Sequence, residues 1–531
     1  MQKIILLLGT IEVSKYISHY IPLKSLRSHL HFIKFVALST IIVLSMLFNI
    51  DSNHRGEYRL QIMANALALP IDCQGNFGVS TGIINHSRRT DGNVTVNPPG
   101  DGSQDIPESP GNYANASYQS YVLKLAPSII INDGASFFGE VTTGYNYGGF
   151  AGDNSLQKKI GTGRSFGESL YYHNTGNGNP NLVLSQFHLN VFADTATYIV
   201  GRQSFHWGLG ALFNEGSDVW DRYKTIQDGI TIKFKVGNFN LTPYWGKHNS
   251  TASLTAADDS KSYGVTLLYD SIERDVAFGI VYGKKTTATY SSFYTSGDGH
   301  NIGRSDVKIT DIFFKKTVGN LSFQLEAPIL SGDLGNLYTA GNSTPYKSYA
   351  IITETAYKFN ESWSLGLMLG LVSGDDGGGS KFKAMYLNPD YQIANLLFRY
   401  NLYSVSDSGQ SLYDSYISNT KYLKLHGQYQ TGAWNFNAAL ILAKAQETAK
   451  GHGSYAFNHS ISKRFISNFS QNNSYGTELD ADIKYQWNSN VAIHSSFGYL
   501  FVGDYYKFTN LSDEVKLHNS YSALLGVSTT F

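Results

Sequence analysis

The sequence predicts an all-β chain: a transmembrane, antiparallel, up-and-down β-barrel of about 18 strands, within a range of about 16–20. Three observations predict it. The chain ends on an alternating segment in which every second residue, read backwards, is Phe531, Thr529, Val527, Leu525, Ala523 and Tyr521. Interior segments alternate in the same way over lengths unusual for soluble strands. Short polar turns and long polar loops take turns along most of the chain.

The closing segment resembles the last strand of Gram-negative outer-membrane barrels. The resemblance implies that Phe531 is an assembly signal read by the barrel assembly machinery. The interior agrees. From Tyr475 to Trp487 one face carries Tyr475, Thr477, Leu479, Ala481, Ile483, Tyr485 and Trp487. The other carries Gly476, Glu478, Asp480, Asp482, Lys484 and Gln486. Successive strand residues point to opposite faces, so one face is apolar and the other charged. After Asn488-Ser489-Asn490 the pattern resumes with Val491, Ile493, Phe497, Tyr499 and Phe501. Aromatic residues near strand ends suit the interfacial girdles of a membrane barrel.

Composition narrows the class. Lys+Arg and Asp+Glu are 41 each, and the net charge of zero argues against a nucleic-acid binder, which calls for a concentrated basic patch. Beyond the amino-terminal region no run of about 20 apolar residues occurs, which excludes a helical membrane protein. A barrel escapes that test because only alternate residues meet lipid. Tyr at 37, Phe at 30 and Gly at 52 fit it. The single cysteine, Cys73, excludes an internal disulfide. The residues before it, Leu69-Pro70-Ile71-Asp72, lack the small side chains of a lipoprotein site, so a free thiol is expected.

Residues 1–68 read as an amino-terminal extension and secretion signal. Lys34 precedes the short apolar run Phe35 to Phe48, the pattern of a signal rather than a span. Small residues around Ala64, Ala66 and Ala68 offer cleavage sites, and a cut after Ala68 is expected. Residues 69–117 form a periplasmic or loop lead-in with one short strand at about 77–86, and 118–531 form the barrel. Its strands are expected between turns such as 132–134, 360–361 and 432–433. The stretch 391–403 counts as one of the 18. That count leaves a parity conflict, because the turns at 360 and 432 cannot then lie on one side. An added strand at 380–388 would repair it. Long loops fall near 148–180, 208–227, 249–260, 290–305, 335–345, 405–419, 448–474 and 505–517.

Taking each strand's polar face as the lumen gives a pore lined by Arg202, Ser204, His206, Lys233, Lys235, Glu326, Arg399, Lys424, His426, Glu478, Asp480, Asp482 and Lys484. Both signs occur, which suits either a wet channel or a salt-bridged plug. About 18 strands enclose an aqueous bore, whereas about 8 fill with their own side chains. Arg202, Lys233 and Lys235 form a candidate anion-attracting cluster; balancing the lumen acids is their alternative role. Phe205, Trp207, Leu209, Leu212 and Phe213 form an apolar, glycine-rich stretch that would aggregate if left exposed. Folded into the barrel mouth it becomes a constriction loop; packed on neighbouring loops it is a hydrophobic corner. Asp375, Asp376 and Asp390 lie in turn-rich segments and supply oxygens of the kind calcium takes. Solvated turn residues have the same composition. No other cofactor is expected.

Gly201-Arg202-Gln203, the His206-Trp207-Gly208-Leu209-Gly210 loop with Asp221-Arg222, and Ser373-Gly374-Asp375-Asp376 leading to Asn388-Pro389-Asp390-Tyr391 together resemble the alginate-export-type porins and their uncharacterised relatives. The likeness covers about 201–222 and 373–391. It implies an 18-stranded barrel whose basic lumen passes a polyanion. The inferred lumen here mixes acids with bases rather than being basic throughout, so diffusion or export of small hydrophilic solutes, anionic ones or sugar acids among them, is the expected function. The expected partners are the bilayer with its lipopolysaccharide, the assembly machinery and such solutes, with monomer and trimer both open. A plugged structural or adhesive barrel acting through its long loops is the alternative. An enzyme is not expected: Ser204 and His206 share a strand face without a supporting acid. An energy-coupled transporter would need a plug domain larger than 69–117.

Overall fold

The computed structural model describes residues 71–87, 115–143, 183–249, 260–287, 304–337, 342–402, 415–460, 463–508, 510 and 517–531. Residues 1–68, with the expected signal and cleavage site, and loop 148–180 lie outside the described residues. Eighteen strands form one antiparallel sheet. The first nine are β1 (Ile71–Asn85), β2 (Ala116–Asn132), β3 (Ala135–Thr142), β4 (Val183–Phe192), β5 (Ala196–Ser204), β6 (Ile226–Val236), β7 (Phe239–Asn249), β8 (Ser260–Ser271) and β9 (Val276–Thr287). Then come β10 (Asp306–Val318), β11 (Leu321–Asp333), β12 (Pro345–Lys358), β13 (Trp363–Val372), β14 (Thr420–Thr431) and β15 (Trp434–Ala445). A separate hairpin, β16 (Ser454–Asn458) with β17 (Lys463–Ser467), stands in the loop before β18 (Ser474–Gln486), β19 (Val491–Val502) and β20 (Ser520–Thr530). Each barrel strand pairs with its sequence neighbours, and β1 pairs with both β2 and β20. That last ladder closes the barrel and removes the sheet edges.

The count agrees with the sequence, but one member differs. Residues 391–402 form turns and bends, not a strand. Ile393, Ala394, Leu396 and Leu397 are all buried, so the segment lacks the alternation a lipid-facing strand must have. The stretch 380–388 makes only isolated bridges, Tyr346 with Phe382 and Tyr386 with Ser418. The eighteenth strand is β1, which extends the short 77–86 strand back to Ile71 and is a full member of the wall. With 373–419 as one long connection between β13 and β14, the parity conflict disappears.

Outward side chains are apolar through the middle of the wall: Val79, Val200, Ile230, Leu267, Ile280, Leu367, Leu425, Leu479 and Val527 are exposed there. Aromatic residues gather at the short-turn end. Phe239, Tyr269 and Phe278 contact one another across β7–β9, and Trp363, Tyr429, Phe436, Trp434 and Tyr485 do so across β13–β18. Rings with one polar edge suit the depth where hydrocarbon meets headgroups.

Candidate channel constriction

Two long connections, 205–225 and 373–419, send segments into the barrel. The first docks on opposite walls. On one side, Glu326 of β11 is fully buried and accepts backbone N–H groups of Leu209 (2.5 Å), Leu212 (3.1 Å) and Ala211 (3.4 Å). Trp207 packs edge-on against Phe313 of β10 and over Gly279 of β9, where an added Cβ would lie 2.8 Å from the indole. On the other side, the Lys124 ammonium of β2 donates to the carbonyls of Gly216 (3.2 Å) and Asp218. Lys224 of the loop pairs with Glu140 of β3. Trp220 fills the space over Gly78 of β1, where a Cβ would meet it at 2.7 Å, and touches the His494 ring. Since β2 and β11 stand across the 18-membered ring from each other, this loop crosses the bore.

The second segment is held by β18. Glu478, fully buried, accepts the N–H groups of Leu396 (2.6 Å) and Leu397 (2.8 Å). Asp480 accepts the Asn395 N–H at 3.1 Å, and Asp482 accepts the Asn395 side-chain amide at 2.9 Å. Tyr391 donates to Glu354 of β12 at 2.8 Å, and the Tyr400 and Tyr118 hydroxyls meet at 2.6 Å. The two segments also grip each other. Asp390 accepts the N–H groups of Arg222 (3.0 Å) and Tyr223 (2.6 Å). The Asn388 side chain donates to the Tyr223 carbonyl at 2.8 Å, and the Asn388 N–H donates to Ala211 at 2.8 Å. Burial pushes the Asp390 carboxyl up to about 7, and the neighbouring Asp221 charge adds to it.

These contacts place the predicted residues. Phe205, Trp207, Leu209, Leu212 and Phe213 lie inside the barrel within one apolar cluster shared with Leu387, Ile393 and Leu396. Lys233, Lys235, Lys424, His426, Asp482 and Lys484 are on lumen-facing strand positions, the alternates of outward Ile230, Leu425 and Leu479. Glu326, Glu478 and Asp480 also point inward, but loop backbone covers them, so they clamp rather than line an open pore. Arg399 sits on the inward loop, not on a strand, bonded to Asn395 at 3.3 Å. Ser204 donates to Gln186 at 3.0 Å, and His206 is exposed at the loop's root.

Arg202 requires correction. It stands opposite outward Phe187 and is two residues from outward Val200, so it faces away from the lumen, and it pairs there with Asp228 at 2.6 Å. Polarity marks the lumen face only within the hydrocarbon band; at strand ends the outer face is polar too. The cluster of Arg202 with Lys233 and Lys235 therefore does not form. Asp375 accepts the N–H groups of Gly377 and Lys383, and Asp376 pairs with the Lys383 ammonium at 2.7 Å. Asp390 is committed to the clasp. Among the described residues no three His, Cys, Asp or Glu side chains converge as a metal site. Phe531 lies on the closing ladder, its backbone bonded both ways to Gly75 and its ring over Gly75.

The sequence reading missed Lys124, Glu140 and the glycines at 78 and 279. Lys124 was detectable as a lone cation between Leu123 and Leu125 in an alternating strand. The glycines mark lumen positions where a loop tryptophan needs the room a side chain would occupy.

Fold and site together define a membrane-spanning β-barrel with a crossed bore. No protein-family model and no curated protein matches the sequence. Among solved structures, the chain is similar to outer-membrane proteins of its size. Pseudomonas aeruginosa OpdL is 11% identical at a TM-score of 0.44, covering 87% of this chain and 99% of that one. Pseudomonas aeruginosa OpdK, solved with vanillate, is 10% identical at 0.42, covering 87% and 98%. Vibrio cholerae OmpT, in its trimer form, is 9% identical at 0.35, covering 87% and 100%.

Proposed function

We propose that the protein is an outer-membrane channel of a Gram-negative bacterium that passes small hydrophilic solutes and prefers anions. One observation carries the preference: the inward acids are used by the loops. Glu326, Glu478 and Asp390 spend both oxygens on backbone N–H groups, Asp480 spends one, and Glu140 is engaged by Lys224 and Ser185. The lumen lysines at the short-turn end, Lys233, Lys235, Lys315, Lys358 and Lys484, are exposed. On the lumen face of that end Asp72 and Asp270 are outnumbered by these lysines, while Asp133, Asp194, Glu273, Asp275 and Glu361 are exposed on the turns beyond. A low-dielectric wall focuses their field on the remaining water and raises local anion concentration. Small carboxylates and sugar acids fit a bore narrowed by two loops better than a polysaccharide does. The alginate-export likeness falls on these two loops, so it supports a shared constriction rather than a shared cargo.

The test is single-channel conductance of the refolded barrel in a planar bilayer, with reversal potential in a salt gradient. Discrete steps with a chloride-directed reversal potential are expected. A cation-directed potential would overturn the anion preference. Silence from folded protein would favour the second reading, a plugged structural barrel, which the apolar cluster joining both loops across the bore supports.

A further inference from the structure

Asp311 of β10 takes part in none of the loop contacts described above, and its surroundings do not suit a charge. It points into the barrel as the alternate of outward Ile312 and is fully buried. Val281 of β9 stands opposite it on one side and Pro328 of β11 on the other. Ile309 and Phe313 flank it on its own strand, within the apolar cluster. Neither carboxylate oxygen meets a hydrogen-bond donor among the described residues. The charge that faces it among them is Glu326, which lies within hydrogen-bonding reach. Glu326 in turn faces Tyr422 of β14, and farther along the wall Glu354 of β12 is bonded to Tyr391.

The three amides that converge on Glu326 stabilise one negative charge, and Asp311 would place a second beside it. Two carboxylates in contact at an apolar site do not both stay ionised. Two acceptors bond to each other only through a hydrogen that one of them carries. The second clasp repeats the arrangement. Glu478 and Asp480 lie within hydrogen-bonding reach on β18, and Asp480 keeps one buried oxygen, Oδ1, without a donor among the described residues. Ala439 of β15 and Gly498 of β19 stand opposite Asp480, and Asp482, Lys424 and Arg399 are the other charges around it. We infer that each wall clasp closes on one shared proton, Asp311 with Glu326 and Asp480 with Glu478, so that the constriction is a proton-held gate which alkali opens. Once the proton leaves, only water can relieve the repulsion, and the loop backbone over Glu326 and Glu478 is what keeps water out. The inference rests on the channel reading for its consequence and on the carboxyl pairs for its chemistry.

Infrared spectroscopy of the refolded protein reads the proton directly. At about pH 8.5 ordinary carboxyls, which titrate at about 4, are ionised. Asp390 has by then released its own proton. A carboxylic-acid C=O stretch should persist there, weaken in Asp311→Asn and in Asp480→Asn, and fall further in the double variant. The folded state alone holds these protons, so its stability is full in acid and falls as pH rises, by about tenfold in the unfolding equilibrium per pH unit per proton. Asp311→Asn keeps a donor on Glu326 at every pH, so denaturant unfolding between about pH 8.5 and 10 should lose one proton's share of that slope. Asp194→Asn, on an exposed turn, should keep the parent's band and slope. Absence of the band, or the parent's slope in Asp311→Asn, would overturn the proposal. Loss of the band on adding calcium at fixed pH would overturn it in favour of a bound metal. Bilayer recordings separate the two readings: the parent's open steps should grow over the same pH range and those of the double variant should not. Band and slope with silent bilayers sink the channel, and open steps without the band sink the shared proton.

Discussion

Glu326 illustrates how one buried carboxylate can set the shape of a pore. It sits on a rigid wall strand, and three consecutive-turn amides converge on it. Removing it leaves those donors buried without a partner, and each such loss costs about 1–3 kcal/mol. Glu326→Ala should therefore free the 205–213 segment, raise single-channel conductance, and lower stability by about 2–4 kcal/mol in denaturant unfolding. An unchanged conductance would mean that the loop is held elsewhere. Asp390 makes the same kind of clasp sensitive to pH. Its folded value lies near 7 and its ordinary one near 3.8, so the folded state binds the extra proton. For a raised carboxyl, the contribution to stability is present in acid and is lost as pH rises through about 7. The clasp should thus be tighter at pH 5 than at pH 8, with fewer or smaller open steps in acid. Asp390→Asn, which cannot titrate, should flatten that dependence; an unaltered pH profile in the variant would assign it to another group.

The loops, not the strands, supply the segments that cross the bore, and they are the harder part to read. Strand existence, turns and face followed from period-2 alternation, which the bilayer enforces through the middle of each strand. That constraint ends at the hydrocarbon boundary. It is why polarity puts Arg202, near the end of β5, on the wrong face, while Lys424, deeper in β14, falls on the lumen side as expected. The 391–402 segment failed for the opposite reason. It is apolar because it is buried among other loop residues, and a buried run carries no period. The two halves of the constriction were visible as unusual stretches, but their contact across more than 160 residues was not. The Asn388-Pro389-Asp390 motif was visible as a carboxylate-bearing turn, yet its partners proved to be amides. A deletion of 208–213 tests the element directly. No strand-to-strand ladder runs through that segment, so the variant should remain folded, with heat-modifiable gel mobility, and conduct about twofold or more above the parent. Loss of folding would instead make the loop part of the barrel's core.

At the scale of the whole molecule, equal numbers of acids and bases conceal a strong separation of charge. Acids concentrate where loop backbone enters the bore, because N–H groups there need acceptors that water cannot supply. Lys124, Lys224 and Arg399 join the loop contacts in the bore, whereas Lys233, Lys235, Lys315, Lys358 and Lys484 stay exposed on the lumen face near the short turns. Net charge is therefore a poor guide to permeation, and the exposed lumen charge is the quantity to test. The lumen set can be tested without disturbing the clasp, because Lys233 and Lys235 lie on β6, away from every loop contact described above. Replacing both with Glu changes the local charge by about four units and leaves the apolar face of the strand intact. Selectivity should move from anions toward cations by a shift in reversal potential, with conductance within about twofold of the parent at high salt, where screening shortens the reach of the remaining field. A reversal potential that stays put would place the selectivity filter at the loops, leaving Arg222 and Arg399 as the cations that select.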